Sequence, residues 1–168
     1  MKTFCRLVLL LGLSISTVSC EGRQIIRHGI FFGECAGYCV SEIEVSGSDV
    51  VYKARYIGPR RESLPPEQTK RASITANAWN QLLHSVQESE FLKLSARYGC
   101  PDCADQGGEW IEIRFADGKA KKVTFDYNRP PEEVLEIVKK LQAVQMTFSD
   151  KPGVFGSAGP TPNKPTPR

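Results

Sequence analysis

Four cysteines in two close pairs are the residues of this 168-residue chain best placed to do chemistry: Cys35 and Cys39 in ECAGYCVSE, and Cys100 and Cys103 in GCPDCADQGG. A CxxC spacing serves redox enzymes, zinc ribbons and haem attachment alike. Haem attachment needs a histidine directly after the second cysteine, and Ala104 stands there. A thioredoxin-like dithiol needs a stabilised thiolate, usually at a helix N-terminus. Here Cys103 leads through Ala-Asp-Gln-Gly-Gly into a strand, and Asp102 and Asp105 would disfavour a second negative charge beside them. The two pairs together could make a four-thiolate zinc site if their loops met. In an exported chain thiols oxidise rather than hold metal, so structural disulfides are expected and no metal or cofactor is assigned. Four cysteines allow three pairings. The local ones, Cys35–Cys39 and Cys100–Cys103, are favoured because each closes across a glycine- or proline-containing turn.

Other chemistry is sparse. Of the two histidines, His84 falls on the polar side of its helix, far from the stripe of Trp79 and Leu83. His28 alternates with Ile26, Ile30 and Phe32 and reads as a partly buried, hydrogen-bonded core or edge histidine rather than a base. Asp102, Asp105 and Glu109 lie close in sequence but lack the EF-hand pattern, and read as a solvated acidic loop rather than a calcium site. There is no Ser-His-Asp order, glycine-rich phosphate loop or HExxH. No catalytic residue is assigned.

The first twenty residues, MKTFCRLVLLLGLSISTVSC, carry Lys2 and Arg6 ahead of an apolar run too short to span a bilayer, the pattern of an export signal. The run ends in Thr17-Val18-Ser19-Cys20, which resembles the lipobox of bacterial lipoproteins. That resemblance implies a signal peptide over 1–19 and acylation of Cys20, with a diacylglyceryl group on the thiol and an amide-linked chain such as palmitate. Residues 20–22 would be the lipidated start of the mature protein, residues 23–148 a single domain, and residues 149–168, rich in proline and glycine, a disordered tail. Without Lys2 and Arg6 the chain has 20 basic and 19 acidic side chains. The basic residues between 55 and 71 are interrupted by Glu62 and Glu67 and carry no aromatic interleaving suited to base stacking, so no nucleic-acid partner is expected.

Residues 24–32 and 50–57 read as strands flanking VSEIEVS (40–46), where Ser41, Ile43 and Val45 share one face. Gly58-Pro59 and Leu64-Pro65-Pro66 mark a loop over 58–71. Thr75 is an expected N-cap for a helix over about 76–88, its buried stripe formed by Trp79, Leu82, Leu83 and Val86. Phe91, Leu92 and Leu94 continue the packing through a short turn. A second hairpin joins 109–115 to 119–127. Only a three-residue loop places Ile111 and Ile113 on the face of Val123 and Phe125. Pro130-Pro131 and two glutamates then open a last helix, with Val134, Ile137, Val138, Leu141 and Val144 on its apolar face. The order strands, helix, strands, helix predicts an α+β fold: an antiparallel sheet of four to five strands in two hairpins, with two helices on one face.

Cys35-Ala36-Gly37-Tyr38-Cys39 between a strand and an alternating hairpin, the Phe-Leu exit of the first helix, the Tyr98/Cys100/Asp105 loop and the ADGKAKKVTF hairpin together resemble bacterial envelope lipoproteins carrying the domain of unknown function numbered 6438. The resemblance covers about residues 23–146. It implies a small α+β domain at the cell envelope, on an outer membrane or a periplasmic face, with no assigned activity. The expected role is that of a lipid-anchored envelope protein acting by binding or as a structural element. It would be attached to a membrane through Cys20 and partnered by an envelope protein or ligand. The alternative is an exported thiol–disulfide oxidoreductase using Cys100 and Cys103. Because the apolar periodicity ends near Met146, truncation after Asp150 is expected to leave the thermal midpoint unchanged. A large fall on calorimetry would mean that Val154 or Phe155 docks on the core.

Overall fold

Alternation of apolar and polar side chains over residues 25–57 dictates a half-buried meander, and the chain forms one. In the computed structural model, which describes residues 22–33, 35–58, 64–101, 103 and 107–148, β1 (Ile25–Phe31), β2 (Gly37–Ser46) and β3 (Asp49–Ile57) run antiparallel in succession. The expected signal peptide, the acylated Cys20 and the tail lie outside the described residues. The expected loop over 58–71 is corrected in its second part, where β4 (Gln68–Ser73) pairs with β3 from Asp49↔Ser73 to Ala54↔Gln68. QTKRAS shows no apolar alternation because it is an edge strand, held by one row of backbone bonds and burying little side-chain surface.

The chain next passes to the opposite half of the sheet through α1 (Ala76–His84) and α2 (Glu88–Lys93). Thr75 caps α1 by accepting a hydrogen bond from the Ala78 N–H at 3.1 Å. The helix stops short of the expected residue 88, because the Ser85 and Val86 N–H groups bond back to Leu82 and Leu83 in tightened i→i−3 turns. What reads in sequence as a turn at Phe91 is therefore a third helix, with Glu88 and Glu90 in its first turn and Phe91 buried. β5 (Gly108–Arg114) joins the free edge of β1, β6 (Ala120–Asp126) follows, and α3 (Glu132–Met146) is the last described element.

The described residues form an α+β fold with a six-stranded antiparallel sheet ordered β4-β3-β2-β1-β5-β6 and three helices, rather than four to five strands and two helices. The β5–β6 loop has three residues: the Phe115 N–H bonds to the Lys119 carbonyl at 2.8 Å, and Gly118 takes φ 91°. That register puts Ile111, Ile113, Val123 and Phe125 on the inner face, all fully buried. They join Ile26, Ile43, Val45 and Val50 in one cluster with Leu82 of α1, Phe91 of α2 and Val134, Ile137, Val138 and Leu141 of α3. Each fully buried aliphatic or aromatic side chain stabilises by about 1.5–3 kcal/mol relative to exposure.

The C-terminal turn is fastened to the sheet. Phe148 stacks on Tyr52 with ring centroids 5.4 Å apart, and Lys70 Nζ donates to the Phe148 carbonyl at 2.8 Å. Phe148→Ala is expected to destabilise the domain by about 3 kcal/mol in chemical denaturation. An unchanged midpoint would mean that the ring does not hold the end of α3.

Candidate functional site

The structure joins Cys35 to Cys39 and Cys100 to Cys103, with Cα–Cα separations of 5.9 and 5.4 Å. Each bridge closes within its own loop, so on the chain-entropy argument each is worth about 2 kcal/mol and fixes a loop rather than the domain. The pairing between β2 and β3 skips a residue between Tyr38 and Val40. Cys39 occupies this bulge and is buried, and its carbonyl accepts from the Phe32 N–H at 3.1 Å. Cys100 and Cys103 are exposed. Their loop is held by a bond from the Cys100 N–H to Asp126 Oδ1 at 2.8 Å, and Arg97 Nη2 lies 4.0 Å from Cys100 Sγ.

Both loops flank the outer face of the sheet, which no helix of the core cluster covers. In β1 and β5 the residues Gly29-Ile30-Phe31 and Gly108-Glu109-Trp110 repeat one spacing, a glycine two positions before an aromatic. Antiparallel pairing sets Gly29 opposite Trp110 and Phe31 opposite Gly108. Each ring lies against its glycine: a Cβ on Gly29 would collide with the indole of Trp110, and one on Gly108 with the ring of Phe31. The two aromatics are thereby laid flat along the sheet. They floor an open depression of about 480 Å³, walled by Val40, Ile57 and Phe32, with Thr124, Arg55 and Lys122 supplying polar groups. This volume lies within the range of small-molecule sites.

Charge on this face is unevenly settled. Arg27 bonds to Glu44 at 2.7 Å and to Glu112 at 3.4 Å, and Lys53 pairs with Glu42 at 3.5 Å. The bond to Glu44 raises the Arg27 pKa above its ordinary value against the opposing effect of burial. Lys122 faces Glu112 across the β5–β6 ladder, but its Nζ sits 3.9 Å from the centroid of the Trp110 ring instead. Among the described residues Arg55 makes no ion pair and no carboxylate lines the depression.

Behind the same strands lies a buried polar chain. His28, on the inner face of β1, is fully buried, and so is Glu109. Glu109 is corrected from a member of a solvated acidic loop to a core residue of β5; its alternation with Ile111 and Ile113 is the signal that places it inward. His28 Nε2 lies 2.6 Å from Glu109 Oε1, and Nδ1 lies 3.2 Å from Gln145 Oε1. Gln142 Nε2 donates to Glu109 Oε1 at 2.7 Å and the Asn128 N–H to Oε2 at 3.1 Å, while Gln145 Nε2 donates to Ser41 Oγ at 2.7 Å. Gln145 Oε1 can only accept, so Nδ1–H donates to it and Nε2 faces the Glu109 carboxyl group. Asn128 reaches Glu109 from a left-handed turn at φ 57°, a conformation asparagine tolerates well. Burial raises the Tyr52 hydroxyl pKa, and its hydrogen bond with Ser41 opposes this. Burial likewise raises that of Tyr127, whose ring meets Phe32 edge-on at 4.9 Å.

Sealed from solvent and satisfied on every side, His28 and Glu109 cannot meet a ligand in this conformation; they tie β1 and β5 to α3. Asp102 and Asp105 lie outside the described residues, and His84 is exposed at the end of α1. Sequence reasoning counted Arg55 only among the interrupted basic residues of 55–71 and passed over Phe31, Trp110 and Lys122, since each alone is an ordinary strand residue.

His28→Leu would leave the Glu109 carboxylate in the interior without its ring partner and is expected to destabilise by about 3–5 kcal/mol. His28→Leu with Glu109→Leu should recover part of that loss in urea unfolding. Equal stability of the single variant and the wild type would mean that the pair does not hold α3 to the sheet.

No protein-family model matches this chain, and no curated protein matches it.

Proposed function

We propose that this is a lipid-anchored protein of a bacterial cell envelope whose α+β domain works by binding, through the open outer face of its sheet. The observation that carries the reading is the glycine-backed aromatic floor of Phe31 and Trp110, set between loops braced by disulfides. A merely structural sheet would cover such a floor or make it polar. Here it is open among the described residues, with cations beside it. The attachment rests on the signal-like N-terminus ending at Cys20 and on the resemblance to envelope lipoproteins. One acyl chain binds a membrane only marginally, whereas a diacylglyceryl group with an amide-linked chain holds firmly.

A second reading, a thiol–disulfide oxidoreductase, is favoured by one feature: Cys100 and Cys103 are exposed, with the guanidinium of Arg97 beside Cys100. A cation there would stabilise a thiolate. An iodoacetamide-reactive thiol of low pKa after mild reduction, with a measurable redox potential, would favour this enzyme over the binder.

Cys20→Ala is expected to release the protein from membranes or block its processing, read by fractionation and intact mass. Wild type that partitions into buffer without detergent and carries no lipid mass would overturn the anchor. For the binding face, a benzophenone amino acid in place of Thr124 should give adducts in intact cells that the same group at exposed Ser89 does not. Equal labelling at both positions would overturn the face as a binding surface.

A further inference from the structure

We infer that the depression takes an elongated, flat apolar molecule with an anionic group at each end, of the class of aromatic dicarboxylates. The inference rests on the reading of the outer face as a binding surface and names what that surface recognises.

The floor sets the body of the ligand. Phe31 and Trp110 lie flat because Gly29 and Gly108 let them approach the backbone, and Val40 and Ile57 continue the apolar surface toward β3. A planar ring system gains most from such a floor, since offset stacking adds about 0.5–1.5 kcal/mol per aromatic pair beyond area burial.

The cations set the charge and its spacing. Glu42, Glu44 and Glu112 are engaged by Lys53 and Arg27, so Arg55 and Lys122 remain as the cations of the depression without a carboxylate partner among the described residues. Both are exposed and both line it. Arg55 belongs to β3 and Lys122 to β6, with β2, β1 and β5 between them. Four strand spacings separate their backbones by roughly 19 Å or more, and the long side chains close part of that gap from opposite banks. One small anion cannot bridge them, whereas a body of one or two fused rings with an anion at each end can meet both. Lys122 is held over the Trp110 ring only by cation–π attraction, which an exposed site makes worth about 0.5–1 kcal/mol, so an arriving carboxylate can draw it away. The Thr124 hydroxyl offers a further hydrogen bond near that end.

The test uses the purified full chain and three naphthalenes of one shape: 2,6-naphthalenedicarboxylate, 2-naphthoate and 2-naphthalenemethanol. Calorimetry gives affinity, and the indole N–H resonance of Trp110, told from that of Trp79 with a Trp79→Phe variant, reports the place. The dicarboxylate is expected to bind with saturable movement of the Trp110 signal, roughly threefold tighter than the monoanion and more tightly still than the alcohol, as exposed ion pairs allow. Added salt should narrow the ranking. Arg55→Glu and Lys122→Glu, both at exposed positions, should each weaken the dicarboxylate by roughly tenfold and leave the alcohol unchanged. If the alcohol binds as tightly as the dicarboxylate at Trp110, the ligand class is overturned while the binding face stands. No saturable movement of Trp110 with any of the three also overturns the inference, and the crosslinking from position 124 then decides separately whether the face binds anything.

Discussion

The bond between His28 Nε2 and Glu109 Oε1 is the constraint on which much of this domain depends. It joins β1 to β5 inside a sealed core, and through Gln142 and Gln145 it also reaches α3. Two ionisable side chains in such an interior are tolerable only when every donor and acceptor is met, and among the described residues no buried side-chain nitrogen or oxygen lacks a partner. Hydrophobic packing alone would let α3 slide along the inner face, because apolar contacts have little direction. The chain from Tyr52 through Ser41, Gln145 and His28 to Glu109 gives that packing a register.

β1 serves both faces of the sheet with adjacent residues. His28 points inward and anchors the polar chain, while Gly29 leaves room on the outer side for Trp110. β5 does the same with Glu109 and Gly108. The pairing that brings the acid to the histidine is therefore also the pairing that seats each aromatic on the facing glycine. A slip of one residue would expose the ionisable pair and bury the glycines, so the aromatic floor and the buried bond stand or fall together.

The disulfides act locally. Cys35–Cys39 fastens a bulge beside Phe32, and Cys100–Cys103 holds a loop whose buried Pro101 packs beside Gly108. Their closed loops are too short to contribute much of the folding free energy, but they fix the rim at one end of the outer face. The core carries the stability and the bridges carry the shape of the rim.

Much of the fold was legible in the sequence. Period-two alternation marked β2, β-rich runs beside turn residues marked β1 and β3, the parity argument gave the three-residue loop at Gly118 between β5 and β6, and Thr75 marked the start of α1. These are short-range properties, settled by neighbours along the chain. β4 and α2 were not legible: a polar edge strand and a six-residue helix bury too little to leave a periodic trace, and only the edge of β3 and the core around Phe91 stabilise them. The local cysteine pairs could be anticipated from spacing, although two other connectivities satisfied the same count. The candidate site was written in the sequence only as fragments. Two Gly-x-aromatic triplets lie 79 positions apart, a histidine and a glutamate share the parity of buried isoleucines, and two cations sit on separate strands. No local rule relates these pieces. The antiparallel register of β1 and β5 decided which glycine faces which ring and which acid meets the histidine, because that register is chosen by the whole core at once.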